Sequence, residues 1–143
     1  MQAIHCHGGG KRPDLLWEAT AEPPMGNHDV MLEVFATAVN RADLLQARGL
    51  YPPPPGNSPV LGLEAAGVVL KAGRQVRGWK PGDRVCALVP GGGYAERAVV
   101  HPEMLLPLPA GWSFAMGAAV PEAWLTAFSN LMLEGRLEAG ETV

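Results

Sequence analysis

The stretch Val60-Leu61-Gly62-Leu63-Glu64-Ala65-Ala66-Gly67-Val68-Val69-Leu70, read with Asn40-Arg41-Ala42-Asp43 upstream, decides the fold. It is a short run of small and apolar residues with a proline loop before it and Gly73 after it. That length and those boundaries predict a buried strand over Val60–Leu70 rather than a helix. Gly67 inside such a strand predicts a bulge or a close approach of another backbone. Glu64 is the one carboxylate in the run. Either it sits at a strand edge and ends in solvent, or it is buried and held by partners, because an unpaired carboxylate in an apolar layer is costly. In the second case the strand lines a binding cleft.

Composition bounds the rest. The chain has 143 residues, 48% of them hydrophobic and 17% charged. One domain is expected, able to bury roughly 68–70% of its unfolded surface. A net charge of −3 offers no electrostatic footprint for nucleic acid or anionic lipid. Cys6 and Cys86 are the two cysteines and show neither disulfide-framework nor metal spacing, which suits reduced thiols in a cytosol. The N-terminal residues lack the apolar core of a signal peptide, and no run reaches membrane-spanning length. A soluble, cytoplasmic protein is the expectation. Fourteen prolines and eighteen glycines punctuate the chain throughout, as in a mostly β domain of short strands with two or three helices.

Met1–His7 reads as an edge strand. It puts His5 and His7 on one face, but without a nearby third ligand for a metal. Gly8–Arg12 fails the G-x4-G-K-[ST] spacing of a phosphate loop and reads as a hairpin tip, with Asp14–Ala19 returning. Asp29–Val39 alternates, with Val30, Leu32, Val34, Ala36 and Ala38 on one face, and delivers the chain to Asn40. Asn40 suits an N-cap, and Asp43 suits the first turn of the helix that follows. Capping alone would account for both. Gly49 is a natural stop for that helix.

Leu50–Pro59 must be extended, because proline fixes its backbone and cannot donate to a ladder. Lys71–Gly82 is a basic, turn-rich link to a strand over Arg84–Val89. Pro90–Gly93 then leads into a strand over Tyr94–Val100. With no helix following, those glycines form a turn and not a nucleotide loop. A short strand is expected over Glu103–Pro109. Ser113 caps a helix over Phe114–Val120, and Pro121–Leu133 has Trp124, Leu125, Phe128, Leu131 and Met132 near helical spacing.

Gly62–Val69 resembles the G-x-E-x-x-G-x-V signature of the medium-chain dehydrogenase/reductase superfamily, in its GroES-like catalytic domain. Asn40–Gly49 (N-R-A-D-L-L-Q-A-R-G), Tyr51–Gly56 (Y-P-P-P-P-G), Pro81–Val85 (P-G-D-R-V), Gly91–Glu96 (G-G-G-Y-A-E) and Pro121–Phe128 (P-E-A-W-L-T-A-F) stand in that family's order. The pattern, running from about Val34 to Val143, is most similar to the zeta-crystallin-like quinone oxidoreductases. The resemblance implies a mainly β, partly open GroES-like barrel over residues 1–120. Residues 121–143 would be a bridging helix and the start of a Rossmann domain, which Glu141-Thr142-Val143 resembles.

In zinc-dependent relatives a cysteine ligand stands at the position of Asn40 and a histidine ligand at that of Leu63. Asparagine and leucine cannot rebuild that site, and the four-cysteine lobe of many zinc-containing members is absent too. No zinc is therefore expected. The implied activity is NAD(P)H-dependent reduction of quinones or other conjugated carbonyls. Asn40, Asp43, Tyr51 and Glu64 are the implied catalytic-site residues. Asn40 and Thr126 would face the nicotinamide of NADPH or NADH, Tyr51 the substrate, and Asp43 and Glu64 would hold the polar network. Simpler roles stand beside these. Tyr51 could pack on prolines, and the Thr126 hydroxyl could bond its own helix backbone.

The expected partners are a small quinone or enone and, through an apolar helix face, further copies of the chain as a homo-oligomer. Nucleic acid and membrane are not expected partners. With the Gly-rich dinucleotide fingerprint absent from the sequence, the 143 residues alone are expected to have no reductase activity. The alternative is a stand-alone, non-catalytic binding or assembly module.

Overall fold

The computed structural model describes residues 1–8, 10 and 12–143. Strands β1 (Gln2–His7) and β2 (Asp14–Ala19) form an antiparallel hairpin; its expected tip over Gly8–Arg12 lies partly outside the described residues. Strands β3 (Val30–Ala36), β4 (Glu64–Ala72), β5 (Arg84–Leu88), β6 (Arg97–Val100) and β7 (Leu105–Pro107) make a five-stranded antiparallel sheet in the order β6-β3-β4-β5-β7. The two sheets meet where Ile4 donates its N–H to the Tyr94 carbonyl (2.8 Å) and Glu96 to that of Gln2 (3.0 Å). The result is the expected mainly β, GroES-like architecture, with two sheets and no closed barrel. Among the described residues, no helix is long and apolar enough to cross a membrane.

Alternation along the strands builds a core on each face of the larger sheet. Val30, Leu32, Val69, Val85, Ala87 and Leu105 pack on one face. Ala66, Cys86 and Ala118 pack on the other, where α2 (Phe114–Ala118) docks with Ala36, Leu106 and Phe114 against them. Val34 and Ala36 would share a face in a regular strand. They do not here, because the register slips between them: Val34 pairs with Gly67 and Ala36 with Ala66, leaving Phe35 as the extra residue. Gly67 thus marks both a bulge and a close approach. A Cβ on it would collide with the Glu33 carbonyl oxygen. Ser113 caps α2 as expected, accepting from the Met116 N–H at 3.2 Å.

Several boundaries differ from expectation for local reasons. The strand expected from Val60 begins only at Glu64. Gly62 takes φ +101°, which breaks the pleat. Val60, Leu61 and Gly62 instead give their carbonyls to the N–H groups of Gly92, Tyr94 and Gly93 in the crossing glycine loop (2.7–3.0 Å). β3 stops at Ala36, three residues short of Val39, once the bulge turns it away from the ladder. Pro102–Met104 forms a 3-10 turn, which leaves β7 only Leu105–Pro107. The last helix is α3 (Ala123–Phe128) continued by a wider π turn over Ser129–Glu134. Its Trp124, Leu125, Phe128, Met132 and Leu133 are all exposed.

Candidate functional site

The bulge in β3 steers Thr37–Asn40 over the start of β4. Thr37 anchors this turn by donating its hydroxyl to the Glu64 carbonyl at 2.6 Å. Asn40 then caps α1 (Arg41–Ala47), and its backbone N–H donates to Asp43 Oδ2 at 2.8 Å. Capping is therefore real, as one reading of the sequence had it. It does not exhaust either side chain.

Glu64 is 1% exposed and Asp43 is 2% exposed, so the solvent-edge reading of Glu64 is overturned. Neither carboxylate has a Lys, Arg or His within 4 Å among the described residues. Neutral donors compensate them instead. Glu64 Oε1 accepts from Asn40 Nδ2 (2.7 Å) and Oε2 from the Glu122 backbone N–H (2.9 Å). Asp43 Oδ1 accepts from the Gly62 N–H (3.2 Å), and Oδ2 lies 3.0 Å from the Tyr94 hydroxyl. The same hydroxyl lies 3.1 Å from the Ala38 carbonyl, and its single proton serves one acceptor at a time. Because a carboxylate only accepts, the bond to Glu64 fixes which way the Asn40 amide faces: Nδ2 is committed, and Oδ1 remains as an acceptor.

This buried negative charge is felt by its neighbours. The Tyr94 phenol is pushed well above its usual range, first by burial, then by Asp43 and Glu64. The Cys86 thiol is raised by burial and by Glu64. The Glu122 carboxyl is raised by burial, then by Glu64 and Asp43. Each of these groups stays longer in its neutral form, since burial, and beside it the neighbouring carboxylate charge, disfavours another anion there.

Two clefts open next to this network. The smaller, about 370 Å³, is lined by Asn40, Arg41, Ala42, Leu45, Tyr51, Glu122, Ala123 and Thr126. The larger, about 940 Å³, runs beneath the proline loop and past Leu63, Leu88 and Val89. Ala42, Tyr51 and Glu122 line both. Of the site residues expected from sequence, Asn40, Tyr51 and Thr126 thus meet at one cleft, while Asp43 and Glu64 lie buried behind it. Tyr51 is 48% exposed, and the loop carrying it turns at Gly56 (φ +85°), where Asn57 donates back to the Pro54 carbonyl.

Leu63, one of the two positions of the zinc ligands in zinc-dependent relatives, lines the larger cleft. Among the described residues, no cluster of three His, Cys, Asp or Glu side chains could hold a metal. Sequence reasoning missed Glu122 and Tyr94. Glu122 passed as one more polar residue in a helix's first turn, and Tyr94 as the residue after a glycine turn. Only the fold brings them to the carboxylates.

A nicotinamide fits the smaller cleft in kind. Asn40 Oδ1, which faces the Asp43 backbone N–H in the capping box of α1, has a second lone pair that can accept from a carboxamide N–H. The Thr126 hydroxyl makes no hydrogen bond to any described residue, although Asn130 bonds the Thr126 backbone carbonyl. Among the described residues, the glycines at Gly91–Gly93 lead to a strand and not a helix, so they offer a pyrophosphate no helix N-terminus.

Comparison with known proteins places this arrangement in a family. The alcohol dehydrogenase GroES-like domain profile matches residues 26–110. A phenolphthiocerol synthesis polyketide synthase of Mycobacterium marinum is 41% identical over 95% of this chain, which spans 6% of that protein. Two solved structures overlay with high similarity. The Escherichia coli quinone oxidoreductase complexed with NADPH has 33% identity and a TM-score of 0.76, covering 92% of this chain and 40% of its own. The CurK enoyl reductase has 28% identity and a TM-score of 0.86, covering 98% and 45%. The chain therefore spans less than half the length of each of these relatives. It belongs to the alcohol dehydrogenase GroES-like domain family of the medium-chain dehydrogenase/reductase superfamily.

Proposed function

We propose that this domain forms the substrate wall of a zinc-independent, NAD(P)H-dependent reductase acting on quinones or other conjugated carbonyls. The observation that carries the reading is the convergence of Asn40, Tyr51 and Thr126 on one cleft, backed by a buried network that fixes the Asn40 amide. When bound, the dihydronicotinamide supplies a hydride; the chain's own residues position the reactants. Asn40 and Thr126 orient the carboxamide side. Tyr51 offers a flat face to a planar acceptor and a phenol proton to its carbonyl oxygen. A quinone or enone is already a ready hydride acceptor, so positioning and hydrogen bonding can replace a metal. In this reading the remainder of the dinucleotide rests on a second, Rossmann-type domain, because the Gly91–Gly93 turn opens no helix toward a pyrophosphate.

Reduction of an enoyl thioester is the second reading. The 41% identity to a polyketide synthase and the overlay on an enoyl reductase support it. The two readings share the same hydride chemistry at a carbon conjugated to a carbonyl.

The test joins this chain to the dinucleotide domain of a matched reductase and follows NADPH oxidation with a simple quinone and with an enoyl thioester. Turnover is expected in the folded fusion and not in the 143-residue chain. Tyr51→Phe should lower kcat/KM by the loss of one hydrogen bond, about 0.5–1.5 kcal/mol. A folded fusion that reduces neither acceptor refutes the reading.

A further inference from the structure

Glu122 has no part in the reading above, yet its position is unusual. It is a titratable side chain that lines both clefts. Its own backbone N–H is tied to Glu64 Oε2, so the start of α3 is fixed against the buried acid network. Pro121 before it is fully buried, which leaves this residue little freedom to swing away.

We propose that Glu122 is the proton donor that completes reduction of a conjugated carbonyl in this cleft. The proposal rests on the reductase reading. Hydride from the dihydronicotinamide forms a C–H bond at the β-carbon, and the C=C electron pair moves toward the carbonyl oxygen to give an enolate. The enolate's electron pair then takes the proton of the Glu122 carboxyl at the α-carbon. The Glu122 O–H bond breaks, its pair stays on the carboxylate, and water in the open cleft returns the proton. With a quinone the same proton goes to oxygen, and the hydroquinone leaves.

The surroundings favour a protonated carboxyl there. Burial is the first cause, and Glu64 of β4 and then Asp43 of α1 add to it by opposing a further negative charge. Arg41 of α1 also lines the smaller cleft and acts in the opposite sense, but it is exposed and screened. Tyr51 shares both clefts. Around the larger one stand His5 of β1, Glu22, Asp29 and His101. Glu64 and Asp43 cannot take the role themselves. Both are sealed from the clefts, and all four of their oxygens already accept hydrogen bonds.

Two measurements test this. In the chain alone, the Glu122 carboxyl is followed by carbon-13 NMR through a pH titration and assigned by its loss in Glu122→Gln. It should titrate above the ordinary glutamate value of about 4.3. A midpoint at or below that value overturns the proposal. In the fusion described above, a 2-methyl enone is reduced in D2O. The parent should place deuterium on one face of the α-carbon, with kcat falling as pH rises through the Glu122 midpoint. Glu122→Gln should lose that limb of the profile, lower kcat by about 10²-fold or more at little change in KM, and scatter deuterium over both faces. Glu122→Asp should restore part of the facial selectivity. Retention of the pH limb and of single-faced labelling in Glu122→Gln overturns the proposal while leaving the reductase reading intact. A parent fusion that reduces nothing overturns both.

Discussion

Asp43→Asn is the substitution that most directly tests how the buried network is held. The carboxylate accepts three hydrogen bonds, from the Asn40 N–H, the Gly62 N–H and the Tyr94 hydroxyl. An amide of the same shape has one oxygen and one NH2. If the oxygen keeps the place of Oδ2, Asn40 and Tyr94 retain a partner, but each bond changes from charged to neutral, a loss of about 1 kcal/mol apiece. The NH2 then faces the Gly62 N–H, donor against donor, leaving a buried backbone group unpaired at about 1–3 kcal/mol. The expected loss is about 3–5 kcal/mol, a large part of the 5–15 kcal/mol typical of a domain.

One effect opposes this. Removing a buried charge that has no cationic partner relieves a desolvation penalty, and such replacements can be neutral or stabilising. The donors decide between the two. Two of them are backbone groups at the start of α1 and at Gly62 and cannot turn to solvent, so the relief is smaller than the loss. Urea unfolding of Asp43→Asn and of the exposed control Asp14→Asn measures the difference. With Tyr94→Phe a double-mutant cycle isolates what the charge adds to the hydroxyl contact, which should couple by about 1 kcal/mol. An Asp43→Asn protein within about 1 kcal/mol of the parent at unchanged m-value would refute this account.

Tyr94 also gives a pH prediction. Its phenol is raised in the folded protein, so the stability it contributes is complete below the unfolded value of about 10 and declines as pH rises above that value. Denaturant titrations at alkaline pH should show this decline in the parent and a shallower one in Tyr94→Phe. Gly67→Ala should destabilise by about 1–3 kcal/mol or more, because its Cβ would strike the Glu33 carbonyl oxygen across the β3–β4 bulge. A melting temperature for Gly67→Ala equal to the parent's would show that the bulge yields easily.

Much of this was legible in the sequence where one residue type admits one geometry. Gly67 within an apolar run implied a bulge or a close approach, and the structure has both there; Asn40 and Asp43 implied a helix start. What eluded sequence reasoning depends on distance in the chain. Nothing local distinguishes a Glu64 at a strand edge from one 58 residues away from its backbone donor at Glu122. Likewise, the alternation of Asp29–Val39 looks regular because the slip at Phe35 is imposed by its partner strand, not by its own side chains. The early strand boundary at Val60 failed for a related reason. Those apolar residues are buried, but the partner of their carbonyls is a glycine loop some thirty residues on.

The network also sorts the acids of this domain by what they can do. A carboxylate that exchanges protons with a substrate needs a free lone pair and a path to the reacting atom. Glu64 has no such path, as it is closed off from both clefts, and each of its oxygens is already held by a donor, Asn40 or the Glu122 backbone. What Glu64 does supply is orientation. One oxygen fixes the Asn40 amide and the other fixes the first turn of α3, so residues on opposite sides of the smaller cleft are held by a single carboxylate. Its charge adds to burial in favouring the neutral forms of Glu122, Cys86 and Tyr94. Replacing Glu64 should therefore disturb Asn40 and Glu122 together, whereas a change at Tyr51, which hangs from a separate loop, should leave both in place.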